Sequence, residues 1–89
     1  MYRVELKPRA RRGFDRLPGA DKGRILATLA RLADQPRPRQ SVKLSGATYR
    51  LRVGEFRIIY AIFDRDDLVL VGKIARREKD TYDRLEELF

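Results

Sequence analysis

The stretch "YRLRVGEFRIIY", Tyr49 to Tyr60, constrains the fold of this 89-residue chain more tightly than any other. Two runs that alternate at period two flank Gly54-Glu55, and a glycine in the first central position suits the type II′ turn that right-twisted hairpins favour. A two-residue loop then fixes the register outward from the turn. Val53 faces Phe56, Arg52 faces Arg57, Leu51 faces Ile58, Arg50 faces Ile59 and Tyr49 faces Tyr60. Arg52 and Arg57 thus become a direct cross-strand pair. Like charges placed opposite each other destabilise a sheet by a few tenths of a kcal/mol, on the order of 0.2–1. An anion that binds there is the simplest reason to keep them together.

The remaining segments organise around that hairpin. Residues 2 to 6 alternate Tyr2, Val4, Leu6 with Arg3, Glu5 and read as a short strand. Pro8 suits the start of a helix in which Ala10, Phe14 and Leu17 share a stripe, ended by Pro18-Gly19. A second helix is expected from an Asp21 cap to Asp34, with Ile25, Leu29 and Leu32 as its apolar face and Leu26 and Ala33 beside them. Residues 35 to 41, "QPRPRQS", form a loop. From Val42 on, three strands are expected, roughly Ala47–Val53, Phe56–Phe63 and Leu68–Ala75, joined by Gly54-Glu55 and by the turn "DRDD". The tail returns to helical spacing, with Tyr82, Leu85 and Phe89 in line. This order implies one α+β domain over residues 1–89. A small antiparallel sheet, made of the N-terminal strand and a three-stranded meander, is backed by a helical hairpin and followed by a short C-terminal helix.

Strand parity sorts the side chains between the two faces. If Phe63 and Leu68 close the second hairpin, Ile62 faces Val69, Tyr60 faces Val71, Ile58 faces Lys73 and Arg57 faces Ile74. Tyr49, Leu51, Val53, Phe56, Ile58, Tyr60, Ile62, Val69 and Val71 then share the helix-covered face. Lys73 joins them and must snorkel. Arg50, Arg52, Arg57 and Arg76 gather on the other face, beside Ile59, Phe63, Leu68, Leu70 and Ile74.

The charge balance agrees with an anionic partner. Lys and Arg number 21 against 13 Asp and Glu, a net charge of +8, and arginine supplies 16 of the 21 cations. Such an excess favours nucleic acid, an acidic protein or an anionic membrane surface. The arginine preference favours phosphate, because a planar guanidinium can engage two oxygens at once. The absence of Cys removes disulfides, thiolate catalysis and thiolate metal sites. "DRDD" lacks the spacing and glycine of a calcium loop. No apolar run reaches the roughly 18 residues of a membrane span, and no signal-peptide stretch opens the chain, so the expected location is cytoplasmic. Arg9, Arg11, Arg12, Arg37 and Arg39 are assigned to a solvated or long-range steering field.

With these residues in view, "LSGATYRLRVGEFRIIY" and the later "ARREKDTY" resemble the RelE/ParE superfamily of bacterial toxin–antitoxin toxins. The resemblance covers nearly the whole chain and implies a small antiparallel sheet backed by two helices. It also implies one of two activities: RelE-type members cut messenger RNA in the ribosomal A site, whereas ParE-type members inhibit DNA gyrase. Carried over by position, the RelE-type site falls on Arg50 and Arg52 of the first hairpin strand, Arg57 of the second, and Arg76 six residues before Tyr82.

Under the RNase reading, RNA brings its own nucleophile, the 2′-OH, and neither metal nor cofactor is called for. The site must accept a proton and stabilise charge around the phosphorane. The chain has no histidine, and arginine does not give up its proton. Tyr82 is therefore the expected base, its phenol favoured in the ionised form by neighbouring guanidinium groups. Glu55 and Glu78 are alternative bases. Arg57 and Arg76 would stabilise the phosphate, Arg50 and Arg52 would hold the backbone, and the products would be a 2′,3′-cyclic phosphate and a 5′-hydroxyl. The expected partners are messenger RNA in the ribosomal A site, with DNA gyrase as the alternative, and a cognate acidic antitoxin that covers the basic and apolar sheet face.

Overall fold

The Gly54-Glu55 turn forms as the sequence requires, with Gly54 at φ +59° and Glu55 outside the positive-φ region, as a type II′ turn demands. The computed structural model describes residues 1–76 and Phe89, so the expected C-terminal helix and Tyr82 lie outside the described residues. In chain order the elements are β1 (Arg3–Leu6), α1 (Pro8–Asp15), α2 (Gly19–Asp34), β2 (Val42–Ser45), β3 (Thr48–Val53), β4 (Phe56–Phe63), a 3₁₀ turn (Asp64–Asp66) and β5 (Leu68–Arg76).

The strands form one sheet in the order β1-β5-β4-β3-β2. The α+β plan with a helical hairpin on one face stands, and the sheet differs from expectation in two respects. It is mixed rather than antiparallel, because β1 runs parallel to β5. It also has a fifth strand, β2, which pairs with β3 around Gly46 at φ +52°. Every residue of β2 is exposed. Its Val42-Lys43-Leu44-Ser45 alternation therefore spans a short edge strand that buries neither face.

Pro8 opens α1 at its first turn, where a missing N–H costs nothing. Asp21 does not cap α2. The helix starts earlier, behind Pro18, and Asp21 lies in its first turn, where its carboxylate meets the guanidinium of Arg24 and the positive end of the helix dipole. Ala10, Leu17, Ile25, Leu29 and Leu32 pack on Leu51, Phe56, Ile58, Tyr60, Ile62, Val69 and Val71, the sheet face assigned by parity. Leu26, expected beside that stripe, points to solvent.

The β3–β4 register matches expectation at all five stated pairs. The β4–β5 register matches only as far as a bulge. Phe63 pairs with Leu68, Ile62 with Val69 and Tyr60 with Val71, but Ile59 then pairs with Lys73, leaving Gly72 as the extra residue. One inserted residue exchanges the two faces for the rest of the strand. Ile74, expected outside, pairs with Ile58 and joins the core, whereas Lys73, expected inside, pairs with Ile59. Arg57 pairs with Ala75. Arg76 pairs with Phe56 and therefore shares the helix side rather than the side of Arg57.

Candidate functional site

On the face away from the helices, β3 and β4 bring three arginines together by register: Arg52 lies directly opposite Arg57, and Arg50 opposite Ile59. Arg52 is exposed, Arg50 and Arg57 are half-buried, and the Nε of Arg57 is shielded from solvent. Lys73 adds a fourth cation to this face. It pairs with Ile59 and is buried to 7% exposure, and Ile59 and Ala61 on the same face are buried too. The apolar surface expected here is thus smaller at its centre and persists at one end, in Phe63, which is 37% exposed.

Arg76 takes a different position from the one parity suggested. Its guanidinium stacks on the Phe56 ring, 5.0 Å from the centroid, and Nη1 donates to Glu55 Oε1 at 3.2 Å. It guards the tip of the β3–β4 hairpin from the helix side. Arg24, ion-paired with Asp21, closes on the same tip, since a Cβ on Gly54 would lie 3.0 Å from its Nη1. Glu55, an alternative base on sequence, is therefore the acceptor of an ion pair.

At the opposite end of the sheet, sequence reasoning missed a connected polar cluster. By sequence Arg37 belongs to a solvated field and Asp64 to a turn. Arg37 instead reaches across to Asp64 with a two-point ion pair, Nη2 to Oδ2 at 2.8 Å and Nη1 to Oδ1 at 3.3 Å, and its Nε donates to the Tyr49 hydroxyl at 3.0 Å. The Tyr2 hydroxyl donates to Asp64 Oδ1 at 2.6 Å. The Tyr49 ring stacks on Tyr60, centroids 5.9 Å apart, and the buried Tyr60 hydroxyl donates to the Pro36 carbonyl at 2.8 Å. The Arg37 guanidinium holds the Asp64 carboxyl below the usual carboxylate range, assisted by the Tyr2 hydroxyl, while burial pushes the Tyr60 phenol up. Two prolines flanking an arginine, opposite an Asp-rich turn, were the only sequence signals of this clamp.

Two further features border the arginine face. An open cleft of about 530 Å³ lies between α2, the 35–41 loop and β3, with Arg31, Gln35, Gln40 and Arg52 among its lining residues. On the far side, Arg9, Arg12 and Arg16 of the first helix and its end form a groove with Lys73 and Ala75. Among the described residues, no group of His, Cys, Asp or Glu is arranged to hold a metal ion, and no helix is long and apolar enough to cross a membrane.

The sequence matches a known family: the pattern of the ParE toxin of the type II toxin–antitoxin system parDE covers residues 4–81. The chain belongs to the ParE toxin family. Several proteins similar to this toxin carry the RelE name. A protein of Methanocaldococcus jannaschii named "Putative toxin RelE1" is 28% identical over 82 residues, 86% of this chain and 91% of that one. The archaeal RelE–RelB complex from Pyrococcus horikoshii OT3 contains a chain 27% identical, aligned over 88% of this toxin and 97% of that chain with a TM-score of 0.76. The isolated E. coli RelE toxin aligns over 91% of this chain and 89% of its own with a TM-score of 0.79, and at 17% identity that likeness concerns the fold. The toxin is thus a member of the RelE/ParE superfamily, and its class is that of toxins of type II toxin–antitoxin systems.

Proposed function

We propose that this toxin is a ribosome-dependent endoribonuclease that cuts messenger RNA by attack of the 2′-OH on the adjacent phosphate. The observation that carries this reading is the opposed pair of Arg52 and Arg57, with Arg50 one pair away, on a sheet face free of α1 and α2 packing. Two guanidinium groups held side by side by a rigid hairpin are costly without an anion and suited to a phosphate that gains charge in the transition state. Arg57 is the better placed of the two to stabilise that charge, because its half-buried guanidinium is preorganised by its surroundings. Arg50 and Arg52 position the RNA backbone. Tyr82 is proposed as the proton acceptor. Arg76 acts from the hairpin rim and must leave Glu55 to contact the phosphate, so its contribution is smaller than that of Arg57.

Mapping messenger RNA ends after incubation with programmed ribosomes tests the reading. Cleavage should be lost in Tyr82→Phe and in Arg57→Ala.

A second reading, inhibition of DNA gyrase by protein contact, is favoured by the match to the ParE family and by the turn of Arg76 away from Arg57. It requires no catalytic tyrosine. A gyrase supercoiling assay with wild-type protein and Tyr82→Phe separates the two, since a gyrase inhibitor should retain its effect in that variant.

The RelE proteins of Pyrococcus horikoshii and Methanococcus jannaschii occur in complexes with RelB antitoxins. By that likeness a cognate antitoxin binds this toxin too. An acidic segment opposite Arg50, Arg52 and Arg57 would complement the face and block it.

A further inference from the structure

The cationic face does not end at the sheet. Beyond Val71, β5 has no β1 neighbour, because β1 pairs only as far as Leu6 with Val71. The first helix takes its place. Gly13 lies so close to the β5 edge that a Cβ there would sit 2.3 Å from the Ile74 carbonyl oxygen. This contact sets the Arg9, Arg12 and Arg16 side of the helix against Lys73 and Ala75, forming a groove of about 350 Å³. By register, Lys73 and Ala75 share the face of Ile59 and Arg57. Two cross-strand rows run toward the groove, Arg50–Ile59–Lys73, which is closed at the buried Ile59 and Lys73, and Arg52–Arg57–Ala75, whose residues are exposed or half-buried.

We propose that Arg12 and Arg16, together with Arg9, continue the phosphate track of the sheet face, so that a single RNA strand runs along the Arg52–Arg57–Ala75 row of β3, β4 and β5 and onto α1. The proposal rests on the endoribonuclease reading and adds the path of the strand. Adjacent strands lie about 4.8 Å apart, so β3 to β5 covers about 10 Å. A helix with its side chains adds about 10 Å more. At about 3.4 Å per phosphate along one stacked strand, such a track holds about six phosphates. The arginines at 9, 12 and 16 follow helical spacing on one side of α1, and Arg12 and Arg16 are exposed. Three guanidinium groups along one groove match a polyanion whose charges repeat along a line.

Direct binding of 2′-O-methyl oligoribonucleotides, which lack the attacking hydroxyl, tests the path. Fluorescence anisotropy is measured against salt for a trinucleotide and an octanucleotide. In the wild-type protein the octanucleotide should bind at least fivefold more tightly than the trinucleotide. The double variant Arg12→Ala/Arg16→Ala should lose that gain while binding the trinucleotide as before. Its salt dependence for the octanucleotide should become shallower by about 0.7 in log K per log salt for each lost contact. A charge-matched control, Arg39→Ala/Arg65→Ala, should keep the gain, and circular dichroism should show all variants folded.

If the α1 variant keeps the length gain, or loses no more than the charge-matched control, the path onto α1 is wrong. The sheet-face reading is judged separately, by whether Arg52→Ala weakens the trinucleotide. Failure of the wild-type protein to bind the octanucleotide overturns the path, while the endoribonuclease reading is judged by cleavage on programmed ribosomes. Equal displacement of the octanucleotide by an octaglutamate peptide would assign the groove to acidic proteins instead and overturn the RNA path.

Discussion

Asp64 shows how single side chains join distant parts of this chain. It receives Arg37 from the proline loop and Tyr2 from the N-terminus, and both interactions favour its ionised form. A carboxyl whose folded pKa is depressed stabilises the fold above its unfolded value and loses that contribution as the pH falls through the folded pKa. Tyr2 and Tyr60 act with the opposite sign. Their folded pKa values are raised, Tyr2 by its bond to Asp64 and Tyr60 by burial, so their contribution is present below about pH 10 and is lost as the pH rises through the folded values. The urea midpoint should therefore fall toward both acid and alkaline pH. Asp64→Asn should flatten the acid limb, and an acid limb unchanged by that substitution would remove the clamp from the account. At the site, Arg57→Ala is expected to reduce messenger RNA cleavage by about 100-fold or more, the effect of removing a preorganised group from a developing charge. Arg76→Ala, which removes a group held on the helix side by Glu55 and Phe56, should reduce it by less than Arg57→Ala does. End-mapping yields for the two folded variants check that order.

Among the elements, α1 and the Gly72 bulge decide how the surface is laid out. Gly13→Ala would drive a methyl group into the Ile74 backbone. Neither a rotamer change nor a side-chain shift can relieve that contact, so α1 must move, at a cost of about 1–3 kcal/mol. Thermal denaturation should show a loss of at least about 5 °C. A variant of wild-type melting temperature would mean that α1 does not rest on the β5 edge. The hairpin around Gly54 was legible in sequence because alternation and turn chemistry agreed over twelve residues, from Tyr49 to Tyr60. The second helix was legible from Ile25, Leu29 and Leu32, while its start was misplaced because Asp21 is as good a first-turn residue as a cap. The bulge was not legible. Its two traces, Gly72 inside the strand run "VLVGKIAR" and Lys73 on the covered face, are too slight to break the parity, which carries Arg76 and Ile74 to the wrong faces. β2 was hidden for a different reason, since Val42-Lys43-Leu44-Ser45 alternates over only four residues beside the proline loop, too short a run to set it apart.

For the molecule as a whole, the net charge of +8 acts at two ranges. The sum of the field speeds encounter with a polyanion and weakens as salt rises, because the screening length is about 8 Å at physiological ionic strength. The arrangement of Arg50, Arg52 and Arg57 on one hairpin face acts at contact range and gives the field a destination. Fold and superfamily were both legible from the hairpin and its flanking helices. The order of the site was only partly so, because it depends on one bulge and on Tyr82, outside the described residues. The central claim is that this face holds RNA for cleavage on the ribosome. The measurement that tests it most directly is primer-extension mapping of messenger RNA after incubation of wild-type, Arg57→Ala and Tyr82→Phe proteins with programmed ribosomes. Discrete cuts at the A-site codon with wild-type protein, lost in both folded variants, are the result expected. Intact messenger RNA with the wild-type protein, or undiminished cutting by both variants, would contradict the account.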